Sequence, residues 1–362
     1  MSLSRLSRWI LPALALFMLA GVGTAFAGPS PDDDYPMLRK RVSETTAAPV
    51  NIKPLLPKQY LFDVKHQYQG WNNCGPTTTA MAISDYGITM SGFDIAAKLK
   101  PNPKDANVSP EEIVGYIKSQ GLDAQVRVNG NRDTIMWFLS NDIPVIVEQW
   151  MLDDGGMGHY RLATGFNKER GTVTFDDSFY GPDQRWTWED WEARWGEFNN
   201  LRKFIPVYRP EQAPLVRAIL GPDADDTQMW VRAEAAARAN IEGFPSDGRT
   251  WFALGDALMA QERPQEALDA YEKGYSLGLP KRFYWYQFGH FEALAKLGRW
   301  QRLLDLTQTV LAQAPIHEEM HYYQGLAYQG LGNRGAARDA FQKALSDHPG
   351  MARAQQALDA LR

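Results

Sequence analysis

Apolar and polar positions divide the chain into stretches with different periods. Residues 28–57 show no apolar periodicity. They hold Pro29, Pro31, Pro36, Pro49, Pro54 and Pro57 with the run Asp32-Asp33-Asp34, and read as an extended, Pro/Asp-rich linker or pro-segment. From 58 to 210 helical and alternating patterns mix. Residues 75–86 predict a helix stopped by Gly87, and Ser109-Pro110-Glu111-Glu112 is a capping box with proline at the first helical position, opening a helix that ends at Gly121. A short helix follows at 134–139 and a buried strand at 144–147. The runs 159–166 and 172–177 flank Asn167-Lys168-Glu169-Arg170 and predict a hairpin. Residues 186–195 are aromatic-rich and read as helical, and 204–208 as a last strand. One leading helix before mostly antiparallel strands predicts an α+β domain.

Residues 211–227 read as a linker, and from 228 to 362 the pattern is helical and repetitive. Gly298 and Gly332 stand 34 residues apart, as do Pro315 and Pro349, Leu303 and Ala337, and Thr307 and Phe341. An earlier copy supplies Trp251, Leu254, Gly255, Ala267 and Tyr271, offset by two extra residues near 278–281. The copy with Gly325, Tyr328, Ala337, Phe341, Ala344 and Pro349 is the most regular, the middle copy is degenerate at its crossing positions, and 233–241 reads as a capping half-repeat. This period, with small residues at helix crossings and proline after the second helix, resembles the tetratricopeptide (TPR) repeat. The resemblance implies an all-α TPR helical-repeat domain whose concave groove binds a protein or extended peptide.

The first residues bear on compartment. Arg5 and Arg8 precede an apolar run at 10–22 and then Ala25-Phe26-Ala27, the pattern of a secretory signal peptide over 1–27. The run is short of the roughly 20 residues a membrane span needs. The expectation is an exported protein, periplasmic, cell-envelope or extracellular, with no stable membrane span after signal cleavage. With 362 residues, 44% of them hydrophobic, the chain is too long for one average domain and apolar enough for two folded units. Its 38 basic and 43 acidic residues give a net charge of −5, which disfavours a nucleic-acid partner. A single cysteine excludes a disulfide framework. No His-Glu-x-x-His or paired Cys/His spacing occurs, so neither a metal nor another cofactor is expected. Exported proteins use structural cysteines in pairs. The lone Cys74 is therefore either an inert side chain or a thiol kept for chemistry.

Its surroundings favour chemistry. Cys74-Gly75-Pro76 puts the thiol at a helix mouth, where about half a positive charge favours thiolate and free backbone N–H groups can receive an oxyanion. A nucleophile needs a base. Four of the six histidines lie in the repeats, leaving His66, read as cleft-lining or surface, and His159, which opens the first hairpin strand. A turn centred on Lys168 sets Asp177 opposite His159, on one face, where it can orient the ring; a slip of one residue favours Ser178 or Asp176 instead. Gln69 is placed to donate a second hydrogen bond to the oxyanion, with Gln67 as competitor. Trp71 and Asn72 shape the approach.

The order Gln…Cys-Gly-Pro-Thr, then Gly-His-Tyr-Arg-Leu-Ala-Thr-Gly-Phe, then Asp-Ser-Phe-Tyr-Gly-Pro resembles the papain-like peptidases of the bacteriocin-processing, double-glycine (C39-like) type, and more closely their stand-alone secreted relatives. The resemblance spans roughly 60–208. It implies a papain-like cysteine peptidase domain over 58–210 with Cys74 as nucleophile, His159 as general base, Asp177 as its orienter and Gln69 in the oxyanion hole. Transporter-linked members carry membrane and ATPase domains and cleave leaders after Gly-Gly. This chain shows no P-loop, so that substrate is not carried over. The function expected is thiol-dependent hydrolysis of a peptide or isopeptide bond, with a protein partner or substrate on the TPR groove. The rivals are transamidation on the same residues, and a non-catalytic exported binding or assembly protein on a papain-like scaffold.

Overall fold

The computed structural model describes residues 50–362 apart from 106, 152–155 and 199. The signal-peptide segment 1–27 and residues 28–49 of the Pro/Asp-rich stretch lie outside the described residues. The first part comprises β1 (Lys58–Tyr60), α1 (Cys74–Ser84), α2 (Gly92–Leu99), α3 (Pro110–Ser119), β2 (Asp123–Ala124), α4 (Arg132–Ser140), β3 (Val145–Trp150), β4 (Gly158–Asn167), β5 (Thr172–Asp177), β6 (Gly181–Thr187), α5 (Trp188–Phe198) and β7 (Phe204–Tyr208). The strands form one antiparallel sheet ordered β2-β7-β3-β4-β5-β6, with β1 added to β4.

Alternation along β3 explains why helices cover both faces. Ile146 points toward α1, α2 and α3, while Val145 and Val147 point toward α4 and α5. Helix α1 is buried from Gly75 to Ser84 and lies against the face carrying Ile146, Tyr160, Leu162 and Ile205. Ser109 and Glu112 close the capping box at the start of α3. A second capping box, Ser91 with Asp94, opens α2, which the apolar pattern alone leaves unread. The aromatic helix begins later than its composition implies. Trp186 belongs to the edge strand β6, and α5 starts after Thr187, whose Oγ1 accepts the Asp190 N–H at 3.1 Å. Trp191 and Trp195 then stack 4.4 Å apart against the sheet.

The hairpin register differs from the symmetric one. Asn167 pairs with Thr172, but beyond a bulge between Ala163 and Gly165 the partners become Ala163–Phe175 and Leu162–Asp176. Asp177 is thereby set across from the level of Arg161, not His159. The bulge sits where β1 crowds β4: a Cβ on Gly165 would come within 2.8 Å of the Gln59 carbonyl oxygen.

The second part is helical: α6 (Ala213–Leu220), α7 (Asp226–Gly243), α8 (Gly248–Ala260), α9 (Pro264–Leu277), α10 (Gly289–Lys296), α11 (Trp300–Leu311), α12 (Glu318–Gly330), α13 (Arg334–Asp347) and α14 (Ala352–Asp359). The segment 211–227, read as a linker, contains α6, because Val216 and Leu220 fall at helical spacing and are buried with the α4–α5 side of the sheet. Nor do the two parts hang apart. Val128, Trp150, Phe198 and Leu201 share one apolar core with α7 to α12.

Repeat crossings follow a size rule. A Cβ on Gly255 would come within 2.4 Å of the Tyr271 ring, and one on Gly325 within 2.4 Å of the Phe341 ring, so glycine makes room for an aromatic on the second helix. In the middle repeat the corresponding residues are Phe291 and Thr307, both buried, so the bulk sits on the first helix instead. The molecule is thus an α+β domain followed by an all-α repeat region. Among the described residues no helix is long and apolar enough to cross a membrane.

Candidate active site

Cys74 is the first residue of α1 and is partly exposed. It borders a crevice of about 20 Å3, with Asn72, Glu148, Gly158, Tyr160 and Tyr286 among the lining residues. His159 is buried at the start of β4. Its Nε2 lies 3.0 Å from Asp177 Oδ1, which leaves Nδ1 for the thiol that hydrogen-bonds the ring. Burial pushes the Cys74 thiol up, but the hydrogen bond and charge of His159, with the Tyr160 and Gly75 backbone N–H groups, outweigh it and hold the thiol below its ordinary value. Burial likewise pulls the imidazole down, and its bonds to Asp177 and Cys74 raise it on balance. The opposed shifts stabilise a thiolate–imidazolium pair.

Asp177 carries more than the ring. Oδ1 also accepts the N–H groups of Phe179 (2.8 Å) and Tyr180 (3.0 Å), and Oδ2 accepts Arg161 Nε at 2.5 Å. Burial alone would raise this carboxyl; His159, Arg161 and the backbone donors hold it well below the usual range. Arg161 is fully buried, and burial lowers its pKa against the pull of Asp177. Its two terminal nitrogens have no hydrogen-bond partner among the described residues. The guanidinium instead lies 5.0 Å from the Trp186 ring centre and 5.9 Å from that of Tyr180.

The structure separates the competing glutamines. Gln67 is tied at both ends of its amide, Nε2 donating to the Met90 carbonyl and Oε1 accepting the Gly92 N–H, which anchors the loop before α2. Gln69 Oε1 accepts Ser178 Oγ at 2.7 Å, and the Gln69 N–H donates to the Ser178 carbonyl, which fixes the amide beside the end of β5. His66 Nε2 lies 3.0 Å from the Asp177 carbonyl oxygen, so it touches the backbone of the orienting residue rather than the thiol. Asp176 faces the other way and accepts the Asp183 N–H. Trp71 is exposed. Asn72 adopts φ 54°, donates to the Asp105 carbonyl, and accepts Lys100 Nζ through its own carbonyl.

Three residues at the site escaped the sequence reading. Arg161 was legible in principle, two positions beyond His159 on the same strand face. Glu148 is buried beside the crevice, and burial, against the pull of Lys203, pushes its carboxyl up to about 8. Tyr286 carries no local signal, because it comes from the repeat region; its hydroxyl accepts the Gly158 N–H. It also lines a cavity of about 930 Å3 between α3 and the repeats, which Lys203, Asp256 and Glu292 help to line.

Residues 61–203 match the Peptidase C39 like family, and residues 220–278 match the tetratricopeptide repeat. No curated protein matches the chain. Among solved structures, the peptidase domain of the Streptococcus ABC transporter ComA is 18% identical, covering 40% of this chain and 98% of that one, with a TM-score of 0.33. A C39-like peptidase from Bacillus anthracis is 14% identical, covering 42% and 98%, with a TM-score of 0.36. MamA from Desulfovibrio magneticus RS-1 is 25% identical, covering 42% and 84%, with a TM-score of 0.33.

Proposed function

We propose that this chain, a C39-like peptidase domain followed by tetratricopeptide repeats, is an exported cysteine peptidase that hydrolyses a peptide or isopeptide bond. The observation that carries the reading is His159, bonded to Cys74 on one side and to the Asp177 carboxylate on the other. The Cys74 thiolate attacks the scissile carbonyl carbon. The oxyanion is received by the Cys74 N–H at the helix mouth and by the Gln69 side-chain amide. The imidazolium gives its proton to the leaving amine, releasing it and leaving a thioester. His159 then takes a proton from water, the hydroxide adds to the thioester, and the collapsing intermediate returns the thiol. Asp177 keeps the ring in place and stabilises its charged form.

The cavity beside Tyr286 supports an extended peptide or protein segment as substrate, held between the repeats and α3. The pattern of residues 1–27 supports export. A mass-spectrometric survey of peptides released by wild type and by Cys74→Ala tests the reading. Peptides released only by wild type are expected. Equal release by the variant rules out a Cys74 peptidase.

A further inference from the structure

The seam between the sheet domain and the repeats holds a second group of ligand-type side chains, contributed by α3, the start of α12 and the end of α13. His348 Nδ1 lies 3.1 Å from Glu318 Oε1 and 3.4 Å from Glu112 Oε1. Glu318 is 2% exposed, and its Oε2 has no hydrogen-bond partner among the described residues. The group facing Glu318 is another buried carboxyl, that of Asp105. Glu112 Oε2 is occupied by the Ser109 N–H and hydroxyl, which turns Oε1 to His348.

Charge makes the arrangement costly as it stands. Asp105, Glu112, Glu318 and Glu319 meet two permanent cations, Lys100 beside Asp105 and Glu318, and Arg353 beside Glu319. Ligand atoms about 2.0–2.2 Å from a metal, at tetrahedral or octahedral angles, stand roughly 3.0–3.5 Å apart; His348 Nδ1 stands 3.1 Å and 3.4 Å from the two carboxylate oxygens, and all three ligand atoms lie within 4.8 Å of one another. Glu112, Glu318 and His348 also line the 930 Å3 cavity, which provides an entry path.

We propose that Glu112, Glu318 and His348, with the Asp105 carboxyl alongside, bind one divalent ion of the zinc type that clasps the peptidase domain to the repeats. An imidazole among carboxylates selects zinc and its neighbours over magnesium or calcium, which take oxygen ligands.

The test is calorimetric titration of the metal-stripped full chain with zinc chloride near pH 7.5, alongside thermal melts. One zinc per chain is expected, with a higher melting temperature and no comparable response to magnesium. His348→Ala and Glu318→Gln should each weaken zinc at least tenfold and abolish the thermal shift. Should either fail to fold, Glu112→Gln, at a partly exposed position, should show the same tenfold loss with its circular dichroism unchanged. Absence of zinc uptake by wild type, uptake that survives these substitutions, or an equal response to magnesium overturns the proposal.

Discussion

Arg161 donates Nε to Asp177 Oδ2 at 2.5 Å, while the other oxygen of the same carboxylate holds the His159 ring. The pair is buried without an alternative counter-charge on the carboxylate beyond that ring. The orienting group of the candidate site is thus also an internal ion pair.

Replacing Arg161 by methionine keeps the volume and removes the charge. The Asp177 carboxylate then stays buried and half-paired, which costs about 3–5 kcal/mol. Urea unfolding measures the loss. A variant within about 1 kcal/mol of wild type would show that the guanidinium is dispensable.

Cys74 and His159 shift in opposite directions, and that sets a pH window. The thiol ionises below its ordinary range, and the imidazole stays protonated above its own. The midpoint of iodoacetamide alkylation at Cys74 should therefore lie below that of an ordinary thiol, about pH 8.5. In His159→Ala the midpoint should move upward. The same midpoint in both proteins contradicts the ion pair.

Glu148 is neutral at pH 7, because its carboxyl titrates near 8. Its folded value lies above the unfolded one, so the stability it confers is full below about pH 4.3 and is lost as pH rises through 8. Ionisation also places a negative charge beside the thiolate. Glu148→Gln copies the neutral form. Peptide hydrolysis near pH 6.5 should stay within about twofold of wild type, and unfolding free energies should fall less between pH 5 and 9 in the variant. Parallel pH profiles for the two proteins would refute the assignment.

Tyr286 reaches from the repeat region to the crevice and accepts the Gly158 N–H. Tyr286→Ala removes that wall. A roughly tenfold rise in KM, about 1.4 kcal/mol of binding, is expected with Cys74 alkylation unaltered. Steady-state kinetics with released peptides, run beside the alkylation assay, separates a lost substrate contact from a damaged thiol.

Gly325→Ala tests the crossing rule in the repeats. The added methyl collides with the Phe341 ring and should cost about 1–3 kcal/mol. Pairing it with Phe341→Leu should restore part of the loss in thermal melts.

Much of this molecule was readable along the chain. The capping box at Ser109, the glycine stop at 87, the buried run at 144–147 and the spacing from Gly298 to Gly332 are local signals, each produced by a residue's own backbone preference or by one periodic face. Cys74 at a helix mouth and His159 at a strand start were legible for the same reason. Asp177 was reached through a register that the bulge at Gly165 alters; it still meets His159, because neighbours two apart on one strand face lie within side-chain reach.

What only the tertiary structure decided is whatever depends on meetings between distant segments. The bulge arises from β1 pressing on β4, the separate settings of Gln67 and Gln69 from the partners each amide finds in Met90, Gly92 and Ser178, and the helical course of 211–227 from a core it shares with the sheet. Tyr286 at the crevice and the carboxyl–histidine seam at Glu318 bring together groups hundreds of residues apart. Sequence by itself determined most of the elements and the chemistry they carry, since those follow from short-range sterics and apolar period. It left open which groups share a buried space, because charge balance and hydrogen-bond satisfaction are settled only once the chain has closed around them.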